Sequence, residues 1–289
     1  MQEKEAIKVS KVSIIANIVL SLFKLIAGIV ANSYAMISDA IHSASDVVSS
    51  VIVIIGVKIA NKASDKSHPY GHERFECIAS IILSVILIIT GLGIGVSGIR
   101  NIFTGEYQNL EMPGLIALIM AIVSIVTKEA MYWYTRGVAK KINSSAVMAD
   151  AWHHRSDALS SIGSFIGILG ARMGFLVLDS VASIVITIFI VKAGVDIFIE
   201  TVKELTDEAC DEDTVNKIYE LIEKENGVMR IDDVKTRKFG NRIYVDIEIS
   251  ADGEKTLTET HKIAENVHDS IEENMVLVKH CMVHVNPYE

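Results

Sequence analysis

The sequence predicts two joined folds: a membrane all-α bundle of six transmembrane helices over residues 1–205, and a small water-facing α/β domain of order αββαβ over residues 206–289. Three observations predict them. Half of the 289 residues are hydrophobic and 22 % are charged, with a mean hydropathy of +0.38; that is too apolar for an ordinary soluble or disordered chain of this length. The formal charge of −9 is unevenly placed, with 17 basic against 16 acidic residues up to residue 205 and 10 against 20 beyond it. Apolar runs suited to about 30 Å of hydrocarbon, which takes about 20 residues to cross, recur before 205 and stop there. The same composition excludes collagen, a coiled coil and a basic nucleic-acid binder. Cys77, Cys210 and Cys281 are odd in number, far apart and without a CxxC pair, so neither a disulfide framework nor a cysteine zinc site is expected.

The six spans are expected at 11–31, 35–59, 77–99, 112–135, 144–171 and 174–198. The third is the cleanest, running from Cys77 to Ile99 without a charge. The first reads as an uncleaved span, because no small-residue cleavage pattern follows MQEKEAIKVSKVSII. Basic residues set the orientation. With the N-terminus inside, the inner side receives Lys4, Lys8, Lys11, Lys58, Lys62, Lys66, Arg74, Arg136, Lys140 and Lys141, and the outer side only Arg100 and Arg172. Both termini are therefore expected in the cytoplasm. Lys24 and Asn17 in the first span are expected to face the bundle or snorkel.

The second, fifth and sixth spans carry ionisable residues, which are costly in hydrocarbon and usually face a protein interior. Two of them share a pattern. Asp39 to Ser50 reads DAIHSASDVVSS and Asp150 to Ser161 reads DAWHHRSDALSS, both D-x-x-H-x-x-x-D-x-x-S-S. Positions four apart lie on one helix face, so His42 with Asp46 and His153 with Asp157 each form a two-ligand clip. Two imidazoles and two carboxylates make the four ligands that a tetrahedral Zn²⁺ site requires. The two helices are antiparallel, and each histidine lies about 12–15 Å from its own membrane face, near mid-depth. Equivalent motifs meeting at mid-depth are a feature of transporters built from inverted repeats. Asp39 and Asp150 are expected in supporting or ingress roles, His154 as a polar contact, and the paired serines as close-packing or backbone-bonding residues.

Between the second and third spans, Asp65, His68 and His72 stand in a short cytoplasmic turn bent by Pro69 and Gly71, and three ligands there could converge on one ion. In the acidic tail, Asp211 to Glu225 is amphipathic, with Val215, Ile218, Leu221 and Ile222 on one stripe. Arg230 to Lys238 and Arg242 to Ala251 alternate as strands around a Gly240-Asn241 turn. A helix starts at Thr256 with Glu259 completing a capping box and runs to about Asn274; Met275 to Val285 reads as a last strand. Candidate tail ligands are His261, His284, Glu248 and Asp232. His268 and His280 read as surface residues.

The paired His-x-x-x-Asp clips, the HPYGHER loop and the α/β tail resemble the cation diffusion facilitators over nearly the whole chain, about residues 12–287. The resemblance implies a homodimeric exporter that exchanges a cytosolic divalent metal, most often zinc, for protons. It implies a six-helix transmembrane domain in the plasma (inner) membrane and a cytosolic, metallochaperone-like (ferredoxin-like) domain that helps hold the dimer. It places the transport site at His42, Asp46, His153 and Asp157, the loop site at Asp65, His68 and His72, and the tail site at His261 and His284. Asp232 and Glu248 stand where relatives often have histidine. The implied partners are a divalent cation, protons, the lipid bilayer and a second copy of the chain, with no nucleic acid.

A metal ligand must be deprotonated, so binding releases protons and protonation releases metal; a histidine titrating near about 6.5 makes that exchange near neutral pH. Zn²⁺ is the expected cargo and a candidate regulatory ligand, with Mn²⁺, Fe²⁺, Co²⁺ or Cd²⁺ as the alternative on the same fold. A membrane metal sensor or scaffold that does not transport is the alternative of another class. A nucleotide-driven pump is excluded by the lack of G-x-x-x-x-G-K-[ST], and no catalytic residue is expected.

Overall fold

The computed structural model of the chain describes residues 2–30, 40, 43–44, 46–105, 115–173, 175 and 177–288. It divides into two compact units, 1–201 and 202–289.

The first unit is helical throughout its described elements: α1 (Gln2–Val30), α2 (Val47–Ala60), α3 (Phe75–Thr104), α4 (Leu115–Ile142), α5 (Ser145–Arg172) and α6, which starts at Leu178 and ends at Leu205 in the second unit. By length and composition, Gln2–Ala27 and Phe75–Thr104 suffice to cross a membrane, and Val47–Ala60 is a shorter apolar helix. The expected spans at 35–59, 112–135 and 174–198 begin in stretches that include residues outside the described ones. Several helices outrun the apolar stretch that predicts them. α1 begins at Gln2 rather than near 11, and α4 continues to Ile142 rather than stopping at 135. The apolar run marks hydrocarbon depth, whereas the helix continues while its backbone bonds are satisfied; beyond the run, Lys141 Nζ of α4 meets Glu5 Oε1 of α1 at 2.6 Å.

Packing relies on small residues, since lipid offers no hydrophobic drive between helices. A Cβ placed on Gly56 of α2 would stand 2.5 Å from the Ala79 Cβ of α3. On α3, one at Gly91 would lie 2.8 Å from Ile190 Cγ2 of α6, and one at Gly95 2.7 Å from Thr187 Cγ2. The approach is close enough for the Thr187 hydroxyl to donate to the Gly91 carbonyl at 3.0 Å. α4 and α5 form an antiparallel hairpin around Asn143 (φ 52°). Arg155 stacks 4.4 Å above the Tyr132 ring, and Tyr132 meets Trp152 edge-on at 5.7 Å. The Ser144 hydroxyl at the start of α5 donates to buried Glu76 of α3.

The second unit follows the order α7 (Glu212–Ile222), β1 (Arg230–Phe239), β2 (Arg242–Asp252), α8 (Leu257–Asn274), β3 (Val278–Tyr288). Local signals set its boundaries. Asp211 caps α7 by accepting from the Thr214 amide, and Thr256 and Glu259 form a reciprocal capping box on α8. Gly240 turns the β1–β2 hairpin with φ 61°, a left-handed conformation that costs glycine little. β2 is central, antiparallel to β1 and parallel to β3. Val245, Ile247 and Ile249 on one face of β2 form a core with Ile218 and Ile222 of α7 and Ile263, Val267 and Ile271 of α8.

Candidate metal centre

Inside the helical unit, Asp46 immediately precedes α2, while His153 and Asp157 lie one turn apart on α5. The imidazole Nε2 of His153 lies 3.7 Å from Asp46 Oδ1 and 4.0 Å from Asp157 Oδ2. All three side chains are buried, and their donor atoms lie within 4.8 Å of one another. The other ring nitrogen, Nδ1 of His153, has no hydrogen-bond partner. Three of the four expected transport ligands are thus together. The fourth, His42, lies outside the described residues, as does Asp39.

Sequence reasoning passed over the group that completes this cluster. Lys128 of α4 is 1 % exposed, and its ammonium donates to Asp46 Oδ2 at 2.6 Å and to Asp157 Oδ2 at 2.8 Å. A cation therefore already sits between the two carboxylates. The available signal was a lysine inside an apolar run, which an intramembrane position marks as functional by default.

A second buried cluster lies one turn earlier on α5. Asp150 accepts from the Ser49 hydroxyl at 3.0 Å and the Ser50 hydroxyl at 3.2 Å. His154 Nε2 stands 3.6 Å from Asp150 Oδ2 and 3.1 Å from Ser13 Oγ of α1. Asp150 and His154 therefore tie α5 to α1 and α2, and the serine pair of the second span serves Asp150, with Ser49 also bonding its own helix backbone at the Asp46 carbonyl. Lys24 faces inward and donates to Ser43 at 2.9 Å.

The loop between α2 and α3 also gathers its expected residues. His68 Nδ1 lies 3.5 Å from Asp65 Oδ1 and His72 Nε2 3.4 Å from Asp65 Oδ2, with the two rings 4.4 Å apart. Gly71, at φ 106°, makes the bend that returns His72 to Asp65. The His68 backbone N–H, helped by Ser67, holds the Asp65 carboxyl well below the usual carboxylate range, so it is ionised and able to ligate. His72 is buried and its Nδ1 has no partner. A carboxylate with two imidazoles fits a divalent metal ion.

The expected tail ligands are dispersed by comparison. Glu248 of β2 and His284 of β3 are register partners, but His284 Nε2 meets Asn286 at 3.1 Å. Asp232 accepts from Ser250 at 2.6 Å, from Asn286 at 3.1 Å and from Arg230. Those bonds, the Ser250 hydroxyl first, hold its pKa at about 2. His261 is exposed near the start of α8. The tail residues whose donor atoms do converge are His268, Glu272 and His280, two of which the sequence places simply on the surface. Asp232 is thus drawn to Arg230, Ser250 and Asn286 rather than to the other expected ligands, an engagement that spacing along a strand does not reveal.

Residues 10–206 match the family described as the cation efflux transmembrane domain, and residues 210–288 match the cation efflux protein cytoplasmic domain. An uncharacterized transporter of Methanocaldococcus jannaschii is 40 % identical over 95 % of each chain. The manganese efflux system protein MneS of Bacillus subtilis is 37 % identical over 96 % of this chain and 94 % of its own. A second Bacillus subtilis protein, the manganese efflux system protein MneP, is 33 % identical over 99 % and 98 %.

Proposed function

The chain belongs to the cation diffusion facilitator family, membrane metal-ion transporters rather than enzymes, and from that premise we propose that it exports Zn²⁺ from the cytosol by alternating access in exchange for protons. The observation that carries the reading is the convergence of Asp46, His153 and Asp157 on one buried point held by the Lys128 ammonium. His42 supplies the second imidazole, which gives the N₂O₂ set that suits Zn²⁺. An arriving dication displaces the ammonium from both carboxylates, and protons reaching the imidazoles on the far side release it.

Six spans carry the site, with both termini and the acidic domain in the cytoplasm of a cell bounded by the plasma membrane. The field of that domain raises the local cation concentration. The cytoplasmic domain joins two copies of the chain. Asp65, His68 and His72 hold a resident metal that steadies the loop, a role supported by the partnerless Nδ1 of buried His72. Asp232, Glu248, His261 and His284 form at most a weaker tail site.

Manganese is the second reading, favoured because two full-length relatives are named as manganese efflux proteins. The reading is tested by flux in proteoliposomes across a panel of Zn²⁺, Mn²⁺, Fe²⁺, Co²⁺ and Cd²⁺, with and without a pH gradient. Zn²⁺ flux accelerated by an opposing proton gradient is expected, and His153→Ala and Asp157→Ala should abolish it. Wild-type flux in those variants would overturn the site, and selective Mn²⁺ flux would replace the cargo.

A further inference from the structure

β3 is an edge strand, bonded to β2 on one side only, so its outward backbone groups need partners from elsewhere. α8 supplies them at Cys281. Glu272 Oε1 accepts from the Cys281 amide at 3.0 Å, and His268 Nδ1 lies 2.6 Å from the Cys281 carbonyl oxygen. A carbonyl can only accept, so Nδ1 carries the hydrogen and donates. In the neutral ring this leaves the lone pair on Nε2, which faces Glu272 Oε1 at 3.3 Å. His280, the residue before Cys281, brings Nδ1 to 3.4 Å from the same oxygen. The His268 and His280 rings are 5.7 Å apart and steeply inclined. The His268 Nε2 lone pair and the Glu272 oxygen repel unless a cation, a proton or a metal ion, lies between them.

The distances favour a metal ion as that cation. Ligands at about 2.0–2.1 Å from a tetrahedral centre stand about 3.3–3.4 Å from each other, which matches both contacts to Glu272. His268 and Glu272 are four apart on one helix, the spacing that aligns two ligands on a face. Their bonds to the Cys281 backbone fix the imidazole tautomer and the carboxylate orientation, as outer partners do in metal sites. We propose that His268, Glu272 and His280 form a divalent transition-metal site of two imidazoles and one carboxylate on the edge of the cytoplasmic domain, separate from the Asp232, Glu248, His261 and His284 set. This site stands on its own geometry and does not depend on the cargo or direction of transport. A metal there clamps the end of α8 to β3.

The test is a Co²⁺ titration of the full chain in detergent, read by visible absorption and by bound metal per chain. Asp46→Asn, Asp157→Asn, His68→Ala and His72→Ala form the background, so that the membrane and loop ligand sets do not contribute. His280→Gln is the primary variant because His280 does not cap the strand edge. It should weaken one Co²⁺ per chain by about tenfold or more and remove its absorption, while Glu273→Gln, at an exposed neighbour on α8, leaves both unchanged in the same background. Zn²⁺ should displace the Co²⁺ signal. Unchanged binding in both His280→Gln and Glu272→Gln would overturn the proposal, as would equal loss in Glu273→Gln.

Discussion

Replacing Lys128 with methionine keeps the volume of the side chain and removes its charge. In the wild type the ammonium lies 2.6 Å from Asp46 and 2.8 Å from Asp157, about 6 kcal/mol of attraction per contact at an effective dielectric near 20. Burying the three charges offsets most of that attraction, yet removing one partner from a buried ion pair typically costs about 3–5 kcal/mol. Metal-free Lys128→Met should therefore be destabilised by that order. Metal should recover it, because the dication now enters a doubly anionic site without displacing a tethered cation. If about 1.4–3 kcal/mol of net attraction is otherwise lost on metal binding, the variant binds about 10–100-fold tighter. Its thermal stabilisation by metal should grow accordingly, while turnover in proteoliposomes falls because release is slowed. Lys128→Arg, which keeps the charge, should retain metal-free stability. A folded Lys128→Met that binds metal no more tightly than wild type would refute the idea that the lysine competes for the site.

Gly95→Ala should destabilise the helical unit by about 1–3 kcal/mol in thermal denaturation, since its Cβ would stand 2.7 Å from Thr187, whereas Gly93→Ala, with no atom within 4 Å, should be near neutral. Asp65 is depressed in the fold, so its hold on the Ser67 and His68 amides is complete above the ordinary carboxylate value of about 3.9 and is lost as pH falls through its lower folded value. Amide exchange at those two residues, corrected for intrinsic rates, should stay protected through pH 4; half-loss at the ordinary value would refute this. Thr256→Ala breaks the capping box of α8 and should cost about 1 kcal/mol, read as faster exchange in the first turn of that helix.

The tail was legible because its boundaries are local. Asp211, Thr256 with Glu259, and Gly240 each dictate backbone geometry within four residues of themselves, and the elements start and turn there. The i, i+4 clip of the fifth span was legible for the same reason, since His153 and Asp157 share a face in any helix. Lys128 was not. It lies 82 residues from Asp46 and 29 from Asp157, and helical period alone does not say which inward charge meets which across a bundle. His268, Glu272 and His280 divide along the same line. The spacing of the first two was visible, but the third arrives only when β3 is laid against α8.

Three of the four described side chains in the buried cluster ride on one hairpin. Lys128 comes from α4, His153 and Asp157 from α5, and those helices are locked by the Arg155–Tyr132 and Tyr132–Trp152 contacts. Asp46 arrives on α2, across a seam lined by Ser49 and Ser50 against Asp150. Sliding the hairpin as a body leaves its own donors in register, whereas widening the seam takes the Asp46 carboxylate away from the other described members of the cluster. The number of anionic ligands is thus a function of one interhelical distance. On the proposed export reading, opening that seam would exchange two carboxylates, which hold a dication, for one, which lets it go.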